Sequence, residues 1–269
     1  MVDFNVNGKI AVVTGGTRGL GYYCAEAFVL NGASTVIITS RKAKACEESK
    51  KSLEKTAREN GKNCKIISIP ADLAVEAQCK KFYEDVAKQV NKVDILVANA
   101  GASWGAPLED HTIEAINKII NLNLVAVFHT IKLFTPLLEK AASLEDPSRI
   151  VIMSSVISFQ TNDRVGTYGY TASKAGVTHL GKNLAVQFGD RNITVNSLAP
   201  GFFPSKMSNG LLEVVGDAMV AHNPRHRLGV KEDLQSAVLY LCSKQANYIN
   251  GIVLPIDGGA HLNPISSKF

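Results

Sequence analysis

Tyr170 and Lys174 stand four positions apart in the stretch "GTYGYTASKAG". On a helix such a pair shares one face, so a phenol and an ammonium are presented side by side. A phenol ordinarily ionises near pH ~10, too high for ready proton exchange at neutrality. A neighbouring cation favours the phenolate and lowers that value. Tyr168 has Ala172 at the same spacing and therefore no such partner; it is assigned to a loop or pocket wall. Fifteen positions before Tyr170, Ser155 closes the apolar run "RIVIMSS". A hydroxyl there is suited to hydrogen-bond a substrate oxygen and stabilise developing negative charge.

A second cluster lies near the start of the chain. "TGGTRGLG", residues 14–21, follows a β-branched run and precedes an amphipathic stretch. Gly15, Gly19 and Gly21 allow a tight turn and close backbone approach, and the helix that follows offers its N-terminus to a pyrophosphate. The next apolar run ends in "TSRK". A ribose 2′-hydroxyl is usually bound by a carboxylate near this point. Here Ser40 and Arg41 stand instead, with Arg18 in the glycine loop. Two guanidinium forks and no carboxylate suit a 2′-phosphate, so the expected cofactor is NADP(H), not NAD(H). The alternative is that both arginines are simply exposed.

The elements that must position these groups are legible as alternation. Segments 9–15, 34–40, 64–70, 93–99, 149–155, 192–200 and 251–257 are apolar and β-branched. Amphipathic stretches of helical length lie between them, including 42–60, 74–91, 112–140 and 168–189. This order predicts an α/β fold with a seven-stranded parallel sheet covered by helices on both faces. Ligands of such sheets sit beyond the carboxyl ends of the strands. The 269 residues, 46% apolar and 20% charged, fit one large core, and no linker, repeat or low-complexity segment interrupts them. No uninterrupted apolar run approaches a membrane span, and the first residues lack the pattern of a secretory signal.

The net charge of +5 is mild, and the lysines of 42–65 are mixed with glutamates. That mixture describes a solvated helix face, so no nucleic-acid partner is expected. Five scattered cysteines without a C-x-x-C pair fit a reducing, cytoplasmic setting. His222 and His226 are spaced as a metal pair, but Pro224 breaks the helix between them and further ligands are lacking. No metal site is expected.

Taken together, these motifs resemble the short-chain dehydrogenase/reductase family over nearly the whole chain. "TGGTRGLG" is similar to its cofactor loop, with Thr17 and Leu20 among the residues carried over. Asp72–Leu73 resembles its adenine contact, and "NAG", Asn99, Ala100 and Gly101, its fourth-strand motif. Ser155, Tyr170, Lys174 and Asn123 match the catalytic set, and "PG" at Pro200–Gly201 and "DGG" at 257–259 match the late motifs. The resemblance implies a doubly wound Rossmann domain spanning 1–269, with a substrate lid at about 201–228. It implies that Tyr170 passes a proton during carbonyl reduction, that Lys174 also holds the nicotinamide ribose, and that Asn123 positions a water linking Lys174 to solvent. The chain departs from the pattern at Ala98, where the family has a first Asn. It also departs at Ser205, in place of a Thr expected to reach the nicotinamide carboxamide, and at Phe203, in place of an isoleucine, which narrows the pocket floor.

On the substrate side, segment 202–220 carries Phe202, Phe203, Met207, Leu211, Leu212, Val215 and Met219. An apolar lid suits an acyl chain or another hydrophobic carbonyl compound; the alternative is that these residues simply pack the lid onto the body. Phe202, Met207 and Trp104 are the expected pocket walls. Arg225, His226 and Arg227 either meet the phosphates of a thioester carrier or, in the case of Arg227, brace the fold. "PGFFPSKM" and "PIDGGAHL" look most like the 3-oxoacyl reductase branch related to rhamnolipid synthesis. The leading expectation is an NADPH-dependent carbonyl reductase. The alternatives are a sugar, polyol or secondary-alcohol dehydrogenase, and a non-catalytic NADPH-binding regulator, which would not need the acid. A homotetramer or homodimer is implied by the resemblance. Ser267-Lys268-Phe269 is similar to a peroxisomal address with Phe in last place; the alternative is a tail without meaning.

Overall fold

The computed structural model describes residues 3–160, 166–204 and 209–263, with side chains left undescribed at 209–215. Seven parallel strands form one sheet: β1 (Ile10–Thr14), β2 (Thr35–Thr39), β3 (Lys65–Ser68), β4 (Ile95–Ala98), β5 (Ser148–Met153), β6 (Ile193–Pro200) and β7 (Val253–Ile256). Their spatial order is β3-β2-β1-β4-β5-β6-β7. The chain winds outward from β1 in one direction, then returns and winds the other way from β4. The crevice between β1 and β4 is therefore the topological switch point, where such sheets take their ligands.

Strand alternation sends side chains to two helical layers. On one face Val13, Val36, Ile38 and Val97 join Phe28 of α1 (Gly19–Leu30), Leu53 of α2 (Ala43–Glu59), and Val238 and Leu241 of α8 (Lys231–Cys242). On the other, Val12, Ile37, Leu96, Ile150 and Ile152 meet Phe82 of α3 (Glu76–Ala87), Phe134 of α5 (Ala126–Glu139) and Val177 of α6 (Tyr168–Phe188). Each such burial contributes on the order of 1.5–3 kcal/mol. Helices on both faces explain why the strands are almost continuously apolar.

The predicted helix over 112–140 is three pieces. α4 (Ile113–Ile120) runs into a π-helical turn at Asn121–Val125, and α5 follows. The wide turn admits a residue that a 3.6-period reading does not foresee. This rod, Ile113–Glu139, has the length and mean hydropathy of a membrane span, although Lys118 and Lys132 interrupt its apolar run. It is a core helix: Ile119, Ile131, Phe134, Leu137 and Leu138 are buried. The segment read as a lid contains α7 (Asn209–His222).

Candidate active site

Thr14 ends β1, and its hydroxyl organises the switch point. It accepts the N–H groups of Asn99 (2.9 Å) and Ala100 (3.0 Å). The Asn99 amide in turn donates to the carbonyls of Thr14 (2.9 Å) and Gly15 (3.2 Å). Asn99 alone does this anchoring, as the retained Asn of "NAG" leads one to expect beside Ala98. Gly15 has φ +64°, and a Cβ there would stand 2.8 Å from the Asn99 amide nitrogen; one on Gly21 would collide with the same group. These glycines are needed because Asn99 closes against the loop.

The loop delivers the chain to the N-terminus of α1. Arg18 is the N-cap, with no capping side-chain bond and no acidic residue in the first turn. The helix end is left positive and open to an anion. Ser49 holds the Thr17 carbonyl at 2.8 Å. Arg18 and Arg41 are exposed. Among the described residues no side chain pairs with either guanidinium, while Ser40 faces the Cys46 thiol at 3.4 Å. Asp72 accepts from Ala74 N (3.1 Å) beside buried Leu73. A dinucleotide carrying a 2′-phosphate fits this set: an uncapped helix end, a glycine-rich loop, and two guanidinium groups unpaired among the described residues.

Ser155 lies two residues beyond β5 and starts a short 3-10 turn, its Oγ accepting from Ile157 N at 3.3 Å. Tyr170 stands in the first turn of α6, and the two hydroxyls are hydrogen-bonded. Burial pushes the phenol above its ordinary pKa, opposed by the Ser155 bond. Lys174 lies on the same helical face, its Nζ 5.6 Å from the Tyr170 ring centroid. That ammonium donates to the Met153 carbonyl at 2.6 Å, and burial lowers its pKa to about 8. In the protein alone the phenol's net shift is upward, opposite to the expected lowering, because burial outweighs the Ser155 hydrogen bond.

Asn123 is fully buried in the π-helical turn. Its Oδ1 accepts from Ala102 N (2.9 Å). Its amide donates to the Ala102 carbonyl (2.9 Å) and to Ser173 Oγ (3.0 Å). Ser173 in turn donates to the Tyr170 carbonyl at 2.7 Å. The side chain braces the site, leaving one Oδ1 lone pair for a water. Gly101 packs against it, a Cβ there falling 3.1 Å from Oδ1. Ser173 and Thr14 were missed from the sequence. Ser173's signal was a small polar residue at i+3 from Tyr170; Thr14's was a hydroxyl at the last strand position.

The remaining expected positions divide. Gly201 sits against Asp257, where a Cβ would be 2.6 Å from the aspartate's own, and Gly201 N donates to the Ile256 carbonyl (3.0 Å). Phe203 is buried in the core beneath Gly229, so its ring packs the body as well as bounding a groove of about 660 Å³. Phe202, Leu228 and Arg225 also line that groove. Arg227 is clasped by Asp233 at 2.6 and 2.9 Å, which gives it the structural role of the two considered. Trp104 is partly exposed, edge-on to His111, which is edge-on to Tyr168. Tyr168 therefore belongs to a wall beside the acid. Ser205, Met207 and the tripeptide Ser267-Lys268-Phe269 lie outside the described residues.

The chain is similar to known proteins in both sequence and fold. Residues 15–261 match the family described as enoyl-(acyl carrier protein) reductase. The rhamnolipids biosynthesis 3-oxoacyl-[acyl-carrier-protein] reductase of Pseudomonas aeruginosa is 36% identical over 261 residues, covering 96% of this chain and 98% of that one. A 3alpha-hydroxysteroid dehydrogenase of Mediterraneibacter gnavus is 34% identical, over 94% of this chain and 96% of its own. Among solved structures, the Pseudomonas aeruginosa RhlG/NADP active-site complex superimposes with a TM-score of 0.89 at 35% identity, covering 96% and 98% of the two chains. A 7 alpha-hydroxysteroid dehydrogenase complexed with NADH and 7-oxo glycochenodeoxycholic acid gives 0.85 at 28% identity, covering 96% and 98%.

Proposed function

From the premise that this chain belongs to the short-chain dehydrogenase/reductase family, we propose that it is an NADPH-dependent reductase of hydrophobic carbonyl compounds, with 3-oxoacyl thioesters as the substrate class. The observation that carries this reading is the gathering of Ser155, just beyond β5, with Tyr170 and Lys174, which share one face of α6. The relatives reported above support the cofactor and the thioester, and Arg18 and Arg41, without a side-chain partner among the described residues, support the 2′-phosphate.

The dinucleotide would be held by Gly15, Thr17, Gly19, Leu20 and Gly21 at the pyrophosphate. Arg18, Ser40 and Arg41 would hold the 2′-phosphate, and Asp72 and Leu73 the adenine. Ala100, Gly101, Pro200, Gly201, Phe203 and Ser205 would lie toward the nicotinamide. When bound it supplies the hydride that reaches the carbonyl carbon. Tyr170 gives its phenolic proton to the carbonyl oxygen. Like any phenol it is protonated at neutral pH, and burial makes it a weaker acid, so the transfer depends on stabilising the phenolate it leaves. Ser155 holds the same oxygen and stabilises its growing charge. The phenolate left behind shares a face with Lys174, which is cationic below its pKa of about 8; the attraction favours that state. Asn123 offers its remaining lone pair to a water through which Lys174 and then Tyr170 regain the proton. Trp104, Phe202 and Met207 would border the substrate beneath a lid at about 201–228.

This reading takes 1–269 as one domain, a homotetramer or homodimer as the working form, and the cytoplasm as the compartment, in keeping with five free thiols. The test follows NADPH and NADH oxidation with 3-oxoacyl thioesters, simple ketones and sugars. The reading expects thioesters and apolar ketones to be turned over with NADPH preferred. Turnover confined to polyol oxidation, or to NADH, would overturn it.

A further inference from the structure

His111 joins two loops that the reduction mechanism leaves unexplained. Its Nε2 lies 3.0 Å from the Ala106 carbonyl and 2.7 Å from the Gly166 carbonyl. Both neighbours are acceptors, so Nε2 carries the hydrogen and shares it between them. Nδ1 is buried and has no partner among the described residues. The ring stands edge-on between Trp104, at 4.7 Å, and Tyr168, at 4.9 Å. The junction is closed elsewhere too. Ala106 N donates to the Gly166 carbonyl at 3.3 Å. Gly166 has φ +65°, and a Cβ there would overlap the Ala106 carbonyl.

Immediately after Gly166 the chain enters α6. Thr167 is the N-cap, and Tyr170 stands in the turn that follows. Gly169 abuts Ile116 and Ile119 of α4, which fixes the turn from one side. His111 fixes the approach to it from the other, through Gly166 and Tyr168. A ring serving only to fill space would do better as a phenyl, which leaves no buried nitrogen unpaired. What the imidazole adds is one donor placed between two carbonyls.

We propose that His111 is a positioning residue for Tyr170. Its shared Nε2–H bond ties residues 106 and 166 together and sets where the first turn of α6 presents the phenol to the carbonyl oxygen. The inference rests on the reductase reading above.

The experiment compares His111→Phe, which keeps the stacked ring and removes the donor, with His111→Gln, whose amide nitrogen can serve both carbonyls. The readouts are kcat, KM, NADPH affinity and the primary isotope effect with deuterated NADPH. The phenylalanine variant loses roughly 10–100-fold in kcat, as a small misplacement of a reacting group does. Its NADPH affinity stays near the parent value and its isotope effect rises because the chemical step has slowed. The glutamine variant recovers most of the loss. A kcat for His111→Phe within about twofold of the parent, or a glutamine variant no better than phenylalanine, overturns the proposal; about twofold is far below the misplacement effect. If His111→Phe does not fold, Gly166→Ala strains the same junction from the opposite side. It is expected to lower kcat with NADPH affinity kept, and an unchanged kcat there overturns the proposal equally. Absence of any carbonyl turnover in the parent would instead remove the reductase reading, and this inference with it.

Discussion

At the scale of single residues, Tyr170 and Lys174 could be paired from sequence because helical spacing is local: i and i+4 meet whatever the rest of the chain does. Their electrostatics could not be read that way. The lysine's bond to the Met153 carbonyl comes from a strand end 21 positions away, and burial depends on the whole packed site. The same holds for His111, whose partners Ala106 and Gly166 meet only through folding. The lowered lysine makes a pH prediction. Lys174 is cationic below about 8 and neutral above it in the free enzyme. Since kcat/KM reports groups of the free enzyme, carbonyl reduction is expected to fall as pH rises through about 8. A profile flat across that region would contradict the role given to the cation. Stability carries the opposite sign. The unfolded lysine holds its proton up to its ordinary pKa of 10.5, so between about 8 and 10.5 the unfolded state binds more protons and Lys174's contribution to stability rises with pH. Lys174→Met therefore gains thermal stability over the parent at pH ~7, and the gain shrinks through that window; thermal unfolding at several pH values checks this.

At the scale of elements, strands and most helices were legible because a two-sided parallel sheet writes apolar β-branched runs into the sequence. The π-helical turn was not, since it inserts one residue without disturbing the apolar pattern on either side. It matters because it places Asn123 where its amide reaches both Ala102 and Ser173. Asn123→Ala removes the partner of both Ala102 backbone groups and the donor to Ser173 Oγ. It is expected to lower stability by about 1–3 kcal/mol and to reduce kcat, as measured by denaturant unfolding and steady-state rates; unchanged values would show the brace to be dispensable. The glycine loop is a second element whose purpose sequence gave only in part. Its glycines suggested room for phosphate, and the structure adds that Asn99 takes the space behind them. Gly21→Ala pushes on that amide. It is expected to weaken NADPH binding by at least about tenfold, the equivalent of ~1.4 kcal/mol, in a fluorescence titration, while the circular dichroism of the sheet is kept.

At the scale of the whole molecule, topology brings together what sequence leaves apart. Arg18 follows β1 and Arg41 follows β2, which pair in register from Ile10↔Thr35 to Thr14↔Thr39. Neither arginine identifies a 2′-phosphate alone, but neighbouring strands deliver both to one end of the sheet. Replacing both with alanine is expected to reduce the preference for NADPH over NADH by tenfold or more, since charge-assisted bonds to phosphate are the strong ones; an unchanged preference would remove them from the site. The central claim is that Tyr170 is the proton donor at a carbonyl. Its most direct measurement is NADPH oxidation by Tyr170→Phe with a substrate the parent reduces, alongside NADPH binding by the same variant. The expected result is a loss of about 10²–10⁴ in kcat, the scale of general acid catalysis, with NADPH still bound. Turnover at the parent rate in that variant would contradict it.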